Sequence, residues 1–172
     1  MFEGLKVMAA SPTKIHRVAS DQDSDCQSPE QPNPLSSSVR KRTIFIGIAG
    51  GTASGKTTVC EEIYDRVQVG AFKHCVMIPL DCFYKECTPE QMANIGSVNF
   101  DHPSMFDWPL LKETFHKLQQ GQDVVIPKYD YVTCKRAEEG QFVKWAPLVM
   151  YEGIFGLFDR EINDLLDLKV FV

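Results

Sequence analysis

GIAGGTASGKTTV, residues 47–59, contains the pattern G-x-x-x-x-G-K-[ST] between an apolar segment and a helical pattern. In that context, glycine-rich backbone N–H groups and a helix N-terminus bind phosphate, a lysine neutralises β- and γ-phosphate charge, and a threonine holds Mg²⁺. The alternative is a glycine-rich turn with a solvated lysine, but eight matching positions favour a nucleoside triphosphate. The predicted cofactor-binding residues are Gly50, Gly51, Thr52, Ala53, Ser54, Gly55, Lys56, Thr57 and Thr58.

Apolar and amphipathic segments alternate around this motif and predict an α/β fold, with a parallel sheet flanked by helices. Strands are predicted in TIFIGIAG (43–50), HCVMIPLDCF (74–83), LVMYEG (148–153) and LKVFV (168–172). Helices are predicted in KTTVCEEIYDRV (56–67), WPLLKETFHKLQQG (108–121) and LFDREINDLL (157–166). Asp107 is the expected N-cap of the second helix, and Gly121 is expected to close it.

The 172 residues are enough for one domain of ordinary size. Residues 1–41 are rich in Ser, Pro, Gln and Asp and poor in large apolar side chains. Such a segment cannot recover the entropy cost of ordering, so we expect a disordered tail there and a P-loop kinase domain at 42–172.

Composition argues against several classes of protein. The formal net charge of −5 disfavours a nucleic-acid binder, which would present a basic face to phosphates. No stretch approaches the roughly 18 apolar residues of a membrane span. The six cysteines form no C-x-x-C pair, which indicates reduced thiols and predicts a cytoplasmic protein.

Two acidic residues end predicted strands, where a parallel sheet would bring them beside the phosphate loop. Asp81 could accept the proton of an attacking hydroxyl and help to organise Mg²⁺. Glu152 follows an apolar strand, as a Walker-B acid does, so the predicted metal residues are Thr57, Asp81 and Glu152. The alternative for either acid is an ordinary surface turn. No N-K-x-D guanine-reading tetrapeptide occurs, which weakens a GTPase interpretation.

The segments between those acids suit an acceptor pocket. In NFDHPSMFD (99–107), Phe100 and Phe106 suit a base, and the two oxygens of Asp101 suit paired ribose hydroxyls. VVIPKYDYVTCKRAEEGQFVKW (124–145) predicts an inserted β-hairpin that turns at RAEEGQ (136–141), with Tyr129 and Tyr131 on one face. A structural hairpin whose tyrosines only pack is an equal alternative.

Five segments, GGTASGKTTVC, DCFY, NFDHPSMFD, IPKYDYVT and YEGIFGL, stand in the order and spacing of uridine kinases. From about Thr43 to Val172 the chain therefore resembles the uridine–cytidine kinase family. The resemblance implies ATP- and Mg²⁺-dependent phosphorylation of uridine or cytidine at the 5′-hydroxyl, in pyrimidine salvage, by a homo-oligomer that is commonly a tetramer. It implies Asp81 and Lys56 as catalytic residues, and nucleoside contacts from Tyr84, Phe100, Asp101, Tyr129, Tyr131 and Cys134.

The chain departs from the family pattern in two places. Cys134 stands where the family usually has a histidine that reads the pyrimidine edge, and a thiol is a weak hydrogen-bond partner. The sequence also stops at Val172, before the family's arginine-rich lid, so we expect the C-terminal part of the fold to be missing. The alternative function is a catalytically weak or inactive truncated isoform that binds ATP or associates with full-length subunits. Another P-loop kinase, such as a phosphoribulokinase or pantothenate kinase, should not share the NFDHP and YDYV segments.

Overall fold

The computed structural model describes residues 42–68 and 74–172. The expected disordered tail, residues 1–41, lies outside the described residues. In chain order the regular elements are β1 (Ile44–Ala49), α1 (Lys56–Gln68), β2 (Cys75–Pro79), α2 (Pro89–Ala93), α3 (Trp108–Gln119), β3 (Val124–Ile126), β4 (Tyr129–Asp130), β5 (Lys135–Arg136), β6 (Gln141–Val143), β7 (Leu148–Gly153), α4 (Arg160–Leu165) and β8 (Leu168–Phe171).

Four of these strands form a parallel sheet in the order β2-β7-β1-β8. Every pairing in it is parallel, so all four strands end at the same edge. The predicted α/β fold with a helix-flanked parallel sheet is confirmed. The order of the strands in the sheet differs from their order in the chain, because β7, which comes late in the chain, lies between β1 and β2.

The two faces of the sheet are both covered, and alternate residues of each strand point to opposite faces. On one face, Phe45, Val149 and Tyr151 belong to the main core, in which the Phe45 ring stacks on Phe115 of α3 at 5.1 Å. On the other face, Leu148 and Met150 pack with half-buried side chains of α1. These alternating contacts explain why the strands are apolar on both sides.

Helix α3 begins and ends where the sequence predicts. The Asp107 carboxylate accepts a hydrogen bond from the Leu110 backbone N–H at 3.2 Å, which satisfies one of the free donors of the first turn. The helix ends at Gln119, and Gly121 adopts φ +80°, a left-handed conformation that glycine reaches without strain.

The predicted strand over residues 74–83 is too long. Strand β2 ends at Pro79, and Leu80–Phe83 forms a 3₁₀ turn. Leu80 and Phe83 are both fully buried, and residues three apart lie on one side of a 3₁₀ helix. An extended strand would send these two side chains to opposite faces, so burial of both in one core favours the turn.

The inserted hairpin is present, but the predicted turn at residues 136–141 is wrong. Strand β3 pairs antiparallel with β6, and β4 pairs antiparallel with β5. The chain reverses within residues 131–134, and residues 137–140 form an irregular insertion in the returning strand. The turn lies earlier because Asp130 organises it, accepting hydrogen bonds from the Val132 N–H and the Thr133 hydroxyl, both at 2.8 Å.

A buried hydroxyl joins three parts of the domain. The Thr43 hydroxyl donates to the Leu118 carbonyl at 2.9 Å and accepts from the Trp145 indole N–H at 2.9 Å. Thr43 is 3% exposed, so water cannot replace either bond. This side chain therefore connects the start of β1 to α3 and to the segment that leads into β7.

Among the described residues, no helix is long and apolar enough to cross a membrane.

We expect Thr43→Val to lower the free energy of unfolding by about 1–3 kcal/mol, because it leaves the Trp145 N–H and the Leu118 carbonyl without a partner. Urea unfolding followed by tryptophan fluorescence measures the loss. Thr43→Ser keeps the hydroxyl and removes only a methyl group, so it should cost less. Equal stability of Thr43→Val and the wild type would contradict the role of this hydroxyl.

Candidate active site

The candidate site lies where the strands of the parallel sheet end. Ala49, the last residue of β1, pairs with Gly153 of β7, and Pro79, the last residue of β2, pairs with Glu152. Asp81 follows Pro79 by two residues in the 3₁₀ turn. The register therefore brings the phosphate loop, Asp81 and Glu152 to the same edge of the sheet.

Residues 50–55 form the phosphate loop between β1 and α1. Gly55 adopts φ +97°, and a Cβ atom there would meet nothing within 4 Å, so the backbone conformation rather than space requires glycine. Ala53, at φ +60°, is a left-handed residue that is not glycine, a conformation that costs about 1–2 kcal/mol. Thr52, Ser54, Thr57 and Thr58 are exposed beside it. This open, shaped backbone suits an incoming anion.

Lys56 starts α1 and is largely buried at the base of the loop. Its ammonium group donates to the Gly51 carbonyl at 2.7 Å, which closes the loop on itself. Burial raises the pKa of both Asp81 and Glu152, and the Lys56 charge partly opposes that rise. Lys56 therefore acts on both acids from the base of the loop that would hold phosphate.

The carboxyls of Asp81 and Glu152 both have a pKa above the usual range. The main cause is partial withdrawal from water by surrounding protein atoms, although Asp81 remains accessible from the cleft. The charge of Asp81 raises the pKa of Glu152 further, and Asp101 does the same for Asp81. The Tyr131 side chain and the Lys56 charge oppose the shift at Asp81. The site thus concentrates negative charge that a cation would relieve.

Mg²⁺ fits the oxygen donors at this edge. Thr57 offers a hydroxyl, and Asp81 and Glu152 offer carboxylates, which are the hard ligands that Mg²⁺ takes together with water and substrate phosphates. Among the described residues, no group of three or more acidic, cysteine or histidine side chains forms a closed metal site. A pair of carboxylates beside a phosphate loop matches a metal that is held partly by the nucleotide.

An aromatic pocket adjoins the acids, and the Tyr84 ring lies at its centre. Its centroid is 4.2 Å from that of Phe106, 5.2 Å from Tyr129, 6.1 Å from Tyr131 and 6.3 Å from Phe100. The Tyr84 hydroxyl donates to the Phe100 carbonyl at 3.4 Å. The structure therefore brings together four of the predicted nucleoside contacts and Phe106, although they come from three separate segments of the chain.

Asp101 and Cys134 occupy different parts of the pocket. Asp101 is exposed in the loop after Phe100, and its charge raises the pKa of Asp81 and Tyr84. Cys134 is buried at the end of the hairpin turn with φ +53°, and its thiol donates to the Tyr131 carbonyl at 3.6 Å. The Cys134 thiol thus contacts the backbone of its own hairpin, and its role toward a base stays a prediction.

Two contributors were missed at the sequence level. The Tyr131 side chain influences the pKa of Asp81, whereas Tyr131 was predicted only as a base contact. Arg136 was placed in the predicted turn at residues 136–141, whereas its guanidinium contacts the back of the pocket. Neither feature has a sequence signal, because the residues involved are remote from each other in the chain, by 29 positions for Arg136 and Asp107 and by 52 for Arg136 and Tyr84.

Comparison with known proteins identifies related chains. Residues 45–172 match the model of the phosphoribulokinase/uridine kinase family. The chain is 38% identical over 132 residues to uridine-cytidine kinase B of Dictyostelium discoideum, covering 77% of this chain and 53% of that protein. It is 41% identical over 138 residues to uridine-cytidine kinase 2-B of Danio rerio, with the same coverage, and 40% identical over 132 residues to uridine kinase of Lactobacillus johnsonii, covering 77% and 62%. The chain thus spans little more than half the length of these relatives.

Solved structures show the same fold. The structure of a possible uridine kinase from Bacillus stearothermophilus has a TM-score of 0.61 and 21% identity, covering 76% of this chain and 70% of that one. Phosphoribulokinase from Rhodobacter spheroides has a TM-score of 0.53 and 20% identity, covering 76% and 51%. These similarities establish the P-loop kinase fold of the described domain. Because the family model matches most of the chain and relatives are about 40% identical to it over the aligned residues, the chain belongs to the phosphoribulokinase/uridine kinase family.

Proposed function

We propose that residues 42–172 form a nucleoside kinase domain that transfers the γ-phosphoryl group of ATP to the 5′-hydroxyl of uridine or cytidine, yielding UMP or CMP. One observation carries the proposal: the turn after β2 brings Asp81 to the edge of the sheet where the phosphate loop leaves β1, and Asp81 precedes Tyr84 of the aromatic pocket by three residues. A base at the junction of donor and acceptor sites is what phosphoryl transfer to an alcohol requires. The uridine and uridine-cytidine kinase relatives support the same substrate class.

In the proposed reaction, the Asp81 carboxylate accepts the proton of the 5′-hydroxyl while the 5′-oxygen of the nucleoside bonds to the γ-phosphorus. The bond from that phosphorus to the bridging oxygen breaks, and ADP leaves with the electron pair. Lys56 and the loop N–H groups stabilise charge on the phosphates. A bound Mg²⁺, held by Thr57, Asp81 and Glu152, would neutralise further phosphate charge.

The aromatic pocket would hold the nucleoside. Tyr84, Tyr129, Tyr131 and Phe100 offer ring faces and edges to a pyrimidine, and aromatic pairs favour offset or edge-to-face geometry. Asp101 is exposed beside them and has two oxygens that can accept from the ribose 2′- and 3′-hydroxyls. Cys134 lies behind the tyrosines, where it would shape the pocket near the base.

The setting of the reaction is part of the proposal. We infer a cytoplasmic enzyme of pyrimidine salvage that assembles as a homo-oligomer. The five cysteines of the described residues are free thiols, which is typical of a reducing compartment. Homo-oligomeric assembly rests on the resemblance to uridine–cytidine kinases.

A nucleotide-binding protein with weak turnover is the second candidate. Its support is electrostatic, since Lys56 is the one cation among the described residues that acts on both Asp81 and Glu152. Phosphoryl transferases often add an arginine that stabilises the transferring group. ATP binding without conversion of uridine would favour this candidate.

We expect Asp81→Asn to reduce kcat for uridine phosphorylation by about 10²–10⁴-fold, because an amide cannot accept the hydroxyl proton. ATP binding depends on the phosphate loop and should persist. Conversion of labelled uridine to UMP, with ATP binding measured separately by calorimetry, tests both statements. Asp164→Asn, at an exposed position of α4, is the matched control and should retain wild-type turnover. Wild-type turnover by Asp81→Asn would overturn the assignment of the base.

The pH dependence of kcat/KM for uridine should report the raised pKa of Asp81. Activity should fall on the acid side at a pH above the ordinary aspartate range, because the base must be ionised. The Tyr131 side chain lowers the pKa of Asp81, so removing its hydroxyl in Tyr131→Phe should move this acid limb to still higher pH.

Tyr64→Phe is the control for that profile, because Tyr64 packs against the opposite face of the sheet. Its acid limb should coincide with that of the wild type. A shift of the Tyr131→Phe limb to lower pH would contradict the influence of the Tyr131 hydroxyl on Asp81.

A further inference from the structure

Arg136 lies on strand β5 of the hairpin and uses its guanidinium to contact three groups outside the hairpin. Its Nε atom donates to the Tyr84 carbonyl at 3.0 Å, and one terminal nitrogen donates to the Phe83 carbonyl at 3.4 Å. The other terminal nitrogen donates to the Asp107 carboxylate at 3.0 Å. The side chain is only 23% exposed, so these bonds are largely shielded from water.

The acceptors of Arg136 belong to the elements that build the proposed acceptor site. Phe83 follows Asp81, the proposed base, by two residues and ends the 3₁₀ turn, and Tyr84 is the next residue. Asp107 caps α3 with its other oxygen and follows Phe106, which packs on Tyr84. Arg136 itself follows Cys134 by two residues, on the strand that pairs with Tyr129.

Backbone bonds run between the same segments. The Asp107 N–H donates to the Phe83 carbonyl at 2.8 Å, the Lys85 N–H to the Met105 carbonyl at 2.7 Å, and the Cys87 N–H to the Cys134 carbonyl at 3.1 Å. These bonds join the turn that contains Asp81 to the loop before α3 and to the hairpin. Each of them connects two of the three segments. From the hairpin, the Arg136 side chain contacts both the turn that contains Asp81 and the Asp107 cap of α3.

We propose that Arg136 is a positioning residue for the acceptor site, one that sets the distance between the Asp81 turn and the tyrosine hairpin. This inference rests on the proposed function for its catalytic consequence, but its geometric content stands on the contacts alone. Arg136 acts through Asp81, Tyr84 and Tyr129 and does not itself touch substrate.

The geometry requires arginine rather than another cation. A guanidinium presents five N–H donors in a rigid plane, so it can bond two successive carbonyls and a carboxylate at once. A lysine ammonium in the same place would retain the ion pair with Asp107 but cannot span all three acceptors. Misplacement of a reacting group by about 1 Å can cost on the order of a hundredfold in rate.

The test compares Arg136→Lys with the full-length wild-type chain by amide hydrogen exchange. We expect exchange at Lys85, Cys87 and Asp107 to rise by about tenfold while the amides of β1 and β7 keep their protection, since local openings are independent of the global one. Arg66→Lys is the control, because Arg66 forms only an exposed pair with Glu62 on α1. It should leave all of these amides unchanged.

The kinetic arm measures uridine phosphorylation by the same variants. Arg136→Lys should lower kcat/KM for uridine by roughly ten- to a hundredfold and leave KM for ATP unchanged. If the wild type does not phosphorylate uridine, the proposed function fails, and hydrogen exchange still decides the role of Arg136.

Two exchange results would overturn the proposal. Unchanged protection at Lys85, Cys87 and Asp107 would show that Arg136 does not hold these segments. An equal loss of protection throughout the sheet would show a general contribution to stability. If Arg136→Lys does not fold, Asp107→Asn takes its place, because asparagine retains the cap oxygen but loses the charge; it should loosen the same amides.

Discussion

The parallel register of β7 with its two neighbours is the constraint on which the site depends. Because β7 pairs with β1 on one side and β2 on the other, the ends of all three strands lie at one edge. The phosphate loop follows β1 there, the turn that contains Asp81 follows β2, and Glu152 is the second-last residue of β7. A shift of one residue in either pairing would move Glu152 to the opposite face of the sheet. Hydrogen bonding in the sheet therefore sets the chemistry that its edge can perform.

The electrostatics of that edge depend on how far the carboxyl groups of Asp81 and Glu152 are shielded from water. Partial withdrawal from water raises the pKa of Asp81 and of Glu152, and nearby negative charge raises each further, while Lys56 is the group among the described residues that opposes the shift at both. Such a site is poised for ligands that bring cations with them, as a metal-bound nucleotide does. The raised pKa of Asp81 also makes it a stronger base than an ordinary aspartate, which suits proton transfer from an alcohol. Neighbouring thiols have no comparable role, since burial raises the pKa of Cys82 to about 11 and keeps the thiol protonated.

The acceptor side is built differently from the donor side. The phosphate loop is a continuous segment whose conformation depends on its own residues, whereas the aromatic pocket is assembled from the Asp81 turn, the loop before α3 and the hairpin. Tyr84 contacts rings from both of the other segments, and Arg136 bonds the turn and the helix cap from behind. Under the proposed function, specificity for a nucleoside therefore depends on the relative placement of three segments, whereas binding of the phosphate donor does not.

The sequence by itself determined the features that are local. The phosphate loop, the strand that precedes it, the caps of α3 and the strand that ends at Glu152 all follow from patterns within about a dozen residues, because capping, periodicity and glycine conformation act over that range. Tertiary structure alone decided where β2 ends, because the 3₁₀ turn allows Leu80 and Phe83 to be buried in the same core. It also decided the position of the hairpin turn, the influence of Tyr131 on the pKa of Asp81 and the contacts of Arg136. These features join residues that are remote in sequence, and their energies depend on burial and distances that only the folded chain creates.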